Sequence, residues 1–376
     1  MRIKSFDFNL REMAGSMGDF GTLFPFAIGY IAVCGLNPAG FLVMMGLANI
    51  VTGLVYKLPM PIEPMKVLAV TAIAQHWSPS MVYASGFAMG MVWLLFGFTG
   101  IMKWVAKITP DSVIKGIQVS LGVLLILEAL KMISTWWVIG IISVIAVLVL
   151  RQNRYMPAAL ALMIFGLAIM FIKGQFKEIT LPGFVFPVIT IFSVKEIWET
   201  LLLAGFAQIP LTAANAVIAT SALIKVYWPD NPVSEKSLSI NMGVMNTVLP
   251  FFGGMPLCHG AGGLAGQYYF GARTGGANII EGLIEIAAGL FLAGSIAGLF
   301  TVFPKAIIGA MMFLVGVELA KFSRDIRWNM DLIPMVVTVV GSLLTNMAYG
   351  FLAGIILHRL IYILSLSKTQ NNGRQQ

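Results

Sequence analysis

Two stretches of this chain, MGLANIVTGLVYKLPMPIEPMK from Met45 to Lys66 and MGVMNTVLPFFGGMPLCHGAGG from Met242 to Gly263, follow the same plan. Each begins with Met-Gly, places Asn three residues after that Gly, continues as an apolar run and reaches a Met-Pro step. Proline removes a backbone donor and interrupts a helix, so each Met-Pro predicts a break within a membrane segment. Two interrupted apolar segments at matching positions in two halves of a chain are typical of a transporter's substrate site.

The composition is that of an integral membrane protein. Of the 376 residues, 58% are hydrophobic and 11% are charged, whereas soluble domains carry about 25% charged residues. The net charge of +8 comes from basic residues scattered through short loops, which is typical of topology signals and argues against nucleic acid as a partner. Residues 1–376 therefore predict one integral membrane unit in contact with the lipid bilayer.

The apolar runs predict an all-α polytopic membrane protein with fourteen segments. A spanning helix needs about 20 apolar residues. The predicted segments are 13–34, 38–57, 62–75, 80–104, 110–130, 133–150, 156–173, 197–223, 236–253, 257–268, 277–300, 303–320, 329–347 and 348–366. Segments 62–75 and 257–268 are too short to cross alone, so we expect half-helices there, each preceded by a short extended strand.

A stretch containing several Pro and Gly residues, 174–195, divides the segments into two sets of seven. Repeat 1 then covers about 13–173 and repeat 2 about 197–366, and the odd number in each makes the second repeat inverted. With both termini in the cytoplasm, 18 Lys and Arg residues fall inside, 5 outside and 1 within the membrane. This asymmetry follows the positive-inside rule and supports a multi-pass layout in the cell membrane.

The two breaks predict an anion site. Unpaired backbone groups are costly in lipid, so the two extended stretches should pair with each other near mid-membrane. The half-helices that follow would point their N-termini, with free N–H groups and partial positive charge, at one place. Gly260–Gly263 would let a ligand approach the backbone there, although small residues also serve helix packing.

Ionisable residues inside a membrane are candidates for function because each is costly unless it is paired. Lys66 lies one turn after Glu63, so it forms a structural pair, adds positive charge to an anion pocket, or does both. Asp19, near the start of the first helix, could pair with Lys66, take up a proton, or cap a helix break. Glu281 and Glu285 share one helix face and could relay protons or brace the scaffold.

Four stretches resemble signature sequences of the molybdate transporter family, a branch of the SulP sulfate-permease superfamily. They are GDFGTLFPFAIG, PMPIEPMKVLAVTAIA, AGFAQIPLTAANAVIA and GGMPLCHGAGGLAGQYYFGARTGG, and the resemblance runs from about Met13 to Leu366. It implies a core domain, about 13–104 and 197–300, that moves against a gate domain, about 110–173 and 303–366. We expect no C-terminal STAS domain, a domain that molybdate members of the superfamily also lack. The chain carries Gln208 where proton-coupled relatives often place a carboxylate.

The resemblance, together with the polar stripe on the helix after the divide, defines the candidate site. The predicted substrate-binding residues are Thr22, Pro64, Met65, Lys66, Gln208, Thr212, His259, Gly260, Ala261, Gly262 and Gly263. The candidates for ion coupling or pairing are Asp19, Glu63 and Asn215. We expect no metal, no cofactor and no catalytic residue, because no metal cluster, nucleotide loop or nucleophile–base pair is present in the sequence.

The predicted function is secondary-active transport of a tetrahedral oxyanion, with molybdate as the first candidate. Sulfate or tungstate on the same scaffold is the nearest alternative, and a nucleobase permease of the same fold is the second. A nucleobase site would need a carboxylate for the ring N–H groups, whereas Lys66 and small residues favour an anion. Coupling ion, direction, and assembly as a monomer or homodimer are left open.

Overall fold

The computed structural model describes residues 2–3, 5–150, 158–175, 180–321 and 331–372, and it omits the side chains of 2–3, 21–22, 103, 106, 159–160 and 365–372. The helices, in chain order, are α1 Leu10–Ser16, α2 Phe20–Ala32, α3 Pro38–Tyr56, α4 Lys66–Ala74, α5 Pro79–Thr99, α6 Met102–Ile108, α7 Asp111–Ile133, α8 Trp137–Leu150, α9 Ala158–Ile172, α10 Val194–Thr200, α11 Phe206–Thr212, α12 Thr220–Tyr227, α13 Glu235–Val248, α14 Ala261–Phe270, α15 Gly276–Phe291, α16 Ala293–Val302, α17 Lys305–Lys321, α18 Leu332–Leu344 and α19 Met347–Asn372. The strands are β1 Arg2–Ile3, β2 Phe6–Asp7, β3 Glu63–Pro64 and β4 Leu257–Cys258.

The described chain is a helical membrane protein. Five helical stretches are long and apolar enough to cross a membrane, and the bent pair α15–α16 would make a sixth. The five are Pro38–Tyr56, Pro79–Thr99, Asp111–Leu150, Val194–Tyr227 and Met347–Leu364. The helical class is therefore confirmed. The count of fourteen segments and the inverted repeat stay predictions.

Three predicted segments differ from the structure in their continuity. Segment 13–34 is broken by a short 3₁₀ turn, Met17–Asp19, that separates α1 from α2. Segment 277–300 is bent by 79° between α15 and α16. Segment 80–104 is interrupted at Gly100, whose φ of +72° ends α5 in a left-handed cap. Glycine adopts this conformation without steric cost, so a C-cap is favoured there.

The helix after the divide, Val194–Tyr227, is continuous but irregular. It contains two π-helical segments, Leu201–Gly205 and Ala213–Ala219, on either side of α11. Pro210 lies within α11 and has no N–H to donate to the preceding turn. π-Segments occur often at functional sites, and here they flank the turns that carry Gln208 and Thr212.

Small residues let helices from the two halves pack closely. α3 packs on α15, α5 on α13, and α7 on α17. At the α3–α15 contact, a Cβ on Gly46 would lie 2.5 Å from the Gly282 carbonyl oxygen, and one on Gly53 would lie 2.7 Å from that of Gly275. Such spacing leaves no room for a side chain, so these glycines serve helix packing within the membrane.

The predicted pairing of the two breaks is confirmed, but the predicted bounds of the half-helices, 62–75 and 257–268, are wrong at their starts. The strands occupy those first residues, so the half-helices begin at Lys66 and Ala261. β3 and β4 form an antiparallel ladder in which Glu63 faces Cys258 and Pro64 faces Leu257. The Met65 N–H also donates to the Pro256 carbonyl at 3.0 Å. The two breaks therefore satisfy part of each other's backbone inside the protein, as the absence of water in a bilayer requires.

Asparagine side chains hold the remaining backbone groups of the breaks. Asn246, the Asn of the second repeated motif, accepts from Leu257 N at 2.7 Å and donates to Leu257 O at 2.6 Å. The break in the first half is held in the same way by Asn278 of the second half. Asn278 accepts from Met60 N at 2.8 Å and donates to Met60 O at 2.6 Å. Asn49 then accepts from Asn278 at 2.8 Å. The repeated Asn thus supports a break directly in one half and through Asn278 in the other.

Replacing Asn246 with alanine is expected to destabilise the protein strongly. Both the N–H and the carbonyl of Leu257 are bonded to this fully buried side chain, and each buried group left unpaired costs about 1–3 kcal/mol. Thermal unfolding in detergent measures the loss. Thr247→Ala is the matched control, since Thr247 donates only to Gly243 O in its own helix. Equal shifts in Tm for the two variants would contradict this role.

Candidate functional site

The ladder brings the starts of the two half-helices together. β3 leads into α4, whose N-cap is Met65, and β4 leads into α14, whose N-cap is Gly260. Met65 is fully buried, so it contributes backbone and packing to the junction. The starts of the two half-helices therefore lie close together, and the prediction that both point at one binding site stays a prediction.

The N-terminus of α14 retains free backbone donors. Within the described part of the chain, no acceptor takes up the N–H groups of Ala261, Gly262 or Gly263. Gly262 is exposed, and no heavy atom from elsewhere in that part lies within 4 Å of the place where its Cβ would be. The start of α14 therefore faces an open space with free donors and the positive end of the helix dipole.

The neighbouring glycines are closed off by a carboxylate. A Cβ on Gly260 or Gly263 would overlap the carboxylate of Glu63. Glu63 is 2% exposed, and its Oε2 lies 3.6 Å from Lys66 Nζ. The predicted Glu63–Lys66 pair is thus confirmed. The Lys66 side chain is 22% exposed, whereas that of Glu63 is buried.

The N-terminus of α4 is occupied in this structure. Gln208 Oε1 accepts from Val67 N at 2.8 Å and from Leu68 N at 3.3 Å. Its Nε2 donates to Thr212 Oγ1 at 2.5 Å, which fixes the orientation of the amide. The expectation that both half-helices present free N–H groups is therefore wrong for these two groups of α4. A neutral amide oxygen stands where an anion was expected.

His259 is held by the protein on both sides of its ring. Nδ1 lies 3.1 Å from Pro61 O, and Nε2 lies 3.1 Å from Asn241 Oδ1. A neutral imidazole donates through Nδ1 and accepts through Nε2 when the Asn241 amide turns its nitrogen toward the ring. Because His259 is fully buried, it braces the β3–β4 junction and offers no ring nitrogen to a ligand here.

Asp19 neither caps a helix break nor pairs with Lys66, which are two of the three roles predicted for it. It precedes α2 but makes no side-chain capping hydrogen bond. It forms no ion pair with Lys66 among the described residues, since Lys66 pairs with Glu63. Its Oδ2 instead accepts from Gln267 Nε2 on α14 at 3.5 Å, and its Oδ1 is buried without a partner.

The remaining predicted residues contribute less to the geometry. Pro64 forms part of β3. Asn215 is half-buried in the second π-segment, and Thr220 Oγ1 donates to its backbone carbonyl. Thr22 belongs to α2, but its side chain lies outside the described part of the structure. Sequence reasoning missed Asn278 and Gln267, although both are amides in apolar helices and so carry a visible signal.

A separate cavity of about 830 Å³ lies away from the β3–β4 junction. Its charged and titratable lining residues are His76, Glu128, Lys131 and Lys305. Glu128 Oε1 lies 3.4 Å from His76 Nε2, and its Oε2 lies 2.9 Å from Lys131 Nζ. None of the predicted site residues lines this cavity, so its volume is no measure of the candidate site.

The comparisons with known proteins agree with the geometry. The family model described as "Molybdate transporter of MFS superfamily" matches residues 11–125 and 200–319. The chain belongs to the molybdate transporter family. It is 30% identical to Molybdate transporter 1 of Arabidopsis thaliana over 412 residues, which cover 96% of this chain and 90% of the relative.

Solved structures place the transporter in the fold of SLC26 and SulP proteins. It resembles SLC26A9 with a TM-score of 0.70 and 14% identity, over 97% of this chain and 66% of the other. It resembles the transmembrane domain of the cyanobacterial bicarbonate transporter BicA with a TM-score of 0.66 and 14% identity, over 93% and 96% of the two chains. The fold is therefore of this type, although the family description names the MFS superfamily. The relatives and the fold together support anion transport.

Proposed function

We propose that the protein is a secondary-active transporter of molybdate, which binds between the N-terminus of α14 and Lys66. The curated relative that it matches over nearly its whole length is a molybdate transporter. Transport requires a site that holds the ion and releases it unchanged, so no catalytic residue, metal or cofactor is part of the proposal. Within the described residues, no group of three or more His, Cys, Asp or Glu side chains is placed to hold a metal.

The free donors of α14 carry the proposal. Three successive N–H groups, Ala261–Gly263, have no acceptor among the described residues, and Gly262 faces open space. A helix N-terminus carries about half a positive charge, and hydrogen bonds to charged acceptors contribute about 1.5–3 kcal/mol each. Lys66 adds a positive charge beside these donors, and its partly exposed side chain lies 3.6 Å from Glu63 Oε2 through Nζ. A tetrahedral dianion can use donors from both sources at once.

Three other predicted residues would act by positioning. Gln208, held by Thr212, fixes the start of α4 and with it Lys66. His259 links the Pro61 carbonyl to Asn241 and so fixes the approach of the two strands. Their side chains would reach the anion only after breaking these contacts. We also propose that Thr22, a predicted substrate-binding residue on the first helix, contacts the anion directly.

We place transport in an alternating-access scheme. The core domain, about 13–104 and 197–300, would move against the gate domain, about 110–173 and 303–366, in a membrane crossed with both termini in the cytoplasm. The contact of His76 Nε2 with Glu128 Oε1 crosses this division, since His76 belongs to the proposed core and Glu128 to the proposed gate. This contact would break if the two domains moved apart.

Uptake by purified protein in proteoliposomes tests the function. Vesicles preloaded with unlabelled molybdate should exchange it for labelled molybdate. Excess external molybdate and tungstate should compete, sulfate should compete less, and uracil should not compete. Stronger competition by sulfate would make the protein a sulfate transporter on this scaffold. Competition by uracil alone would favour a nucleobase permease, with the Glu63 carboxylate as the group that recognises ring N–H groups.

Gly262→Ala is expected to weaken molybdate binding by about tenfold or more, because a methyl group would shield the backbone donors, whose charge-assisted bonds are worth about 1.5–3 kcal/mol each. The fold should be unaffected, since the methyl group would enter open space. Calorimetry gives the affinity, and thermal unfolding gives the stability. Gly294→Ala is the control, because a Cβ there meets nothing closer than 3.6 Å within the described chain. Equal affinities in both variants and the unmodified protein would remove the α14 N-terminus from the site.

A further inference from the structure

Three carboxylates buried beside the candidate site have no cation to balance them. Asp19 is 4% exposed, Glu281 2% and Glu285 7%. Among the described residues, no Lys, Arg or His nitrogen lies within 4 Å of any of the three. Each also has one buried oxygen without a hydrogen-bond partner, namely Asp19 Oδ1, Glu281 Oε2 and Glu285 Oε1.

The three groups belong to one electrostatic cluster. Glu281 and Glu285 lie one turn apart on α15, and Asp19 is close enough for its charge to act on both of them and on Glu63. The 3₁₀ turn that carries Asp19 packs tightly on α14, where a Cβ on Gly18 would lie 2.5 Å from Gln267 N. Two elements, the 3₁₀ turn and α15, thus place three buried acids next to the half-helix that supplies the free donors.

An unpartnered amide points independently to a ligand in this volume. Gln267 is fully buried, and its Nε2 lies 3.5 Å from Asp19 Oδ2, but its Oε1 has no partner among the described atoms. An amide oxygen accepts hydrogen bonds and does not donate them. Together with the orphaned carboxylate oxygens, it makes a group of acceptors that lacks donors. A proton on the carboxylates would supply the missing donors.

A hydrogen-bond chain joins this cluster to the first break. Asn49 Nδ2 donates to Glu285 Oε2 at 2.9 Å, and Asn49 Oδ1 accepts from Asn278 Nδ2 at 2.8 Å. Asn278 in turn holds both the N–H and the carbonyl of Met60. A change of charge at Glu285 can therefore be transmitted to the segment that carries Glu63 and Lys66.

The surroundings leave the cluster with an excess of negative charge when it is ionised. Among the described residues, Glu63 on β3 adds its negative charge beside Asp19, and Glu63 itself pairs with Lys66 on α4. The carboxylate of Glu12 on α1 accepts hydrogen bonds from the backbone N–H groups of Arg273 and Thr274. Several unpaired charges in a membrane interior are too costly to persist.

We propose that Asp19, Glu281 and Glu285 form a proton-binding site that couples proton entry to anion uptake. The proposal rests on the proposed function, since it concerns the same transport cycle. Protons would bind from the outer side while the anion site is loaded. They would leave to the inner side with the anion, so positive charge would enter together with each anion. The unpartnered acceptors require donors, and no described group of ligating side chains converges on a metal ion.

Coupling also meets a physical need of the proposed substrate. Inward movement of one negative charge against a potential of 100 mV is disfavoured about fiftyfold, and that of a dianion about 2,500-fold. Two protons carried with each dianion would cancel this electrical opposition. The cluster has three carboxylates that can bind such protons.

Proteoliposomes with an imposed pH gradient, acidic outside, test the proposal. The unmodified protein should accumulate labelled molybdate under the gradient, and a pH dye sealed inside should report acidification when external molybdate is added. Glu285→Gln keeps an acceptor for Asn49 and should still exchange molybdate. Its accumulation ratio at a gradient of about 2 units should fall about 100-fold for each coupled proton lost, since each unit is a factor of ten. Glu199→Gln, at an exposed glutamate, should behave as the unmodified protein.

The dye reports internal acidification by the unmodified protein, so it tests proton coupling even if Glu285→Gln does not fold. Exchange of molybdate without internal acidification, or accumulation driven only by a sodium gradient, would overturn the proton site and leave the proposed function intact. Full gradient-driven accumulation by Glu285→Gln would exclude Glu285 from the site and so overturn it as stated. A protein that exchanges no molybdate at all would remove both the proposed function and the coupling.

Discussion

Lys66→Gln is expected to raise the Kd for molybdate by about 10- to 100-fold, because a charge-assisted contact contributes about 1.5–3 kcal/mol. Glutamine keeps a hydrogen-bonding end but removes the fixed positive charge. The affinity of the purified variant is measured by calorimetry, and labelled uptake into proteoliposomes should fall in parallel at low molybdate concentration.

Because Lys66 pairs with Glu63, a double variant is needed to separate anion binding by Lys66 from neutralisation of Glu63. Removing Lys66 leaves a buried carboxylate whose nearest cation was 3.6 Å away, so part of any loss could come from Glu63 itself. If Lys66 binds the anion, Glu63→Gln/Lys66→Gln should remain weak. Recovery of full affinity in the double variant would show that Lys66 only neutralises Glu63. Lys115→Gln is the control, because Lys115 pairs with Asp111 on α7.

Gly263→Ala is expected to abolish molybdate binding and to destabilise the protein. The added methyl group would overlap Glu63 Oε1 and lie 2.8 Å from Pro61 Cβ. Both neighbours belong to the break that leads into α4, so Glu63, Lys66 and the strand ladder must shift together. Overpacking of this kind costs about 1–3 kcal/mol. Thermal unfolding and calorimetry on the same preparation separate the loss of stability from the loss of affinity.

The neighbouring glycine provides the comparison. Gly262→Ala lies one residue away in the same helix but meets open space, so it should lose affinity without losing stability. A Gly263→Ala protein with unchanged Tm and unchanged affinity would show that Glu63 can move freely. That result would refute the close packing of Glu63 against α14.

The sequence predicted the parts of the fold that depend on local chemistry. Met-Pro steps within apolar runs predicted the two breaks, and the structure places β3 and β4 there. The cost of unpaired backbone in lipid predicted that the breaks would pair with each other. The three-residue spacing of Glu63 and Lys66 predicted their ion pair, which is present although Glu63 lies in β3 and not on the helix.

The sequence also located the half-helix that carries free donors, because the glycines of Gly260–Gly263 directly follow the second break. It could not distinguish these glycines from one another. Gly263 and Gly260 are covered by Glu63, while Gly262 is open. That difference depends on a side chain from the other half of the chain.

Only the tertiary structure decided which groups occupy the half-helix ends. Gln208, 141 residues from Val67, covers the start of α4. Asp19 meets Gln267 across 248 residues and faces Glu285 on a third element. Periodicity and residue type report on neighbours within a few turns, so they predict breaks, helices and local pairs. Contacts between distant segments depend on how the helices pack, and in this transporter those contacts separate the open donors from the occupied ones.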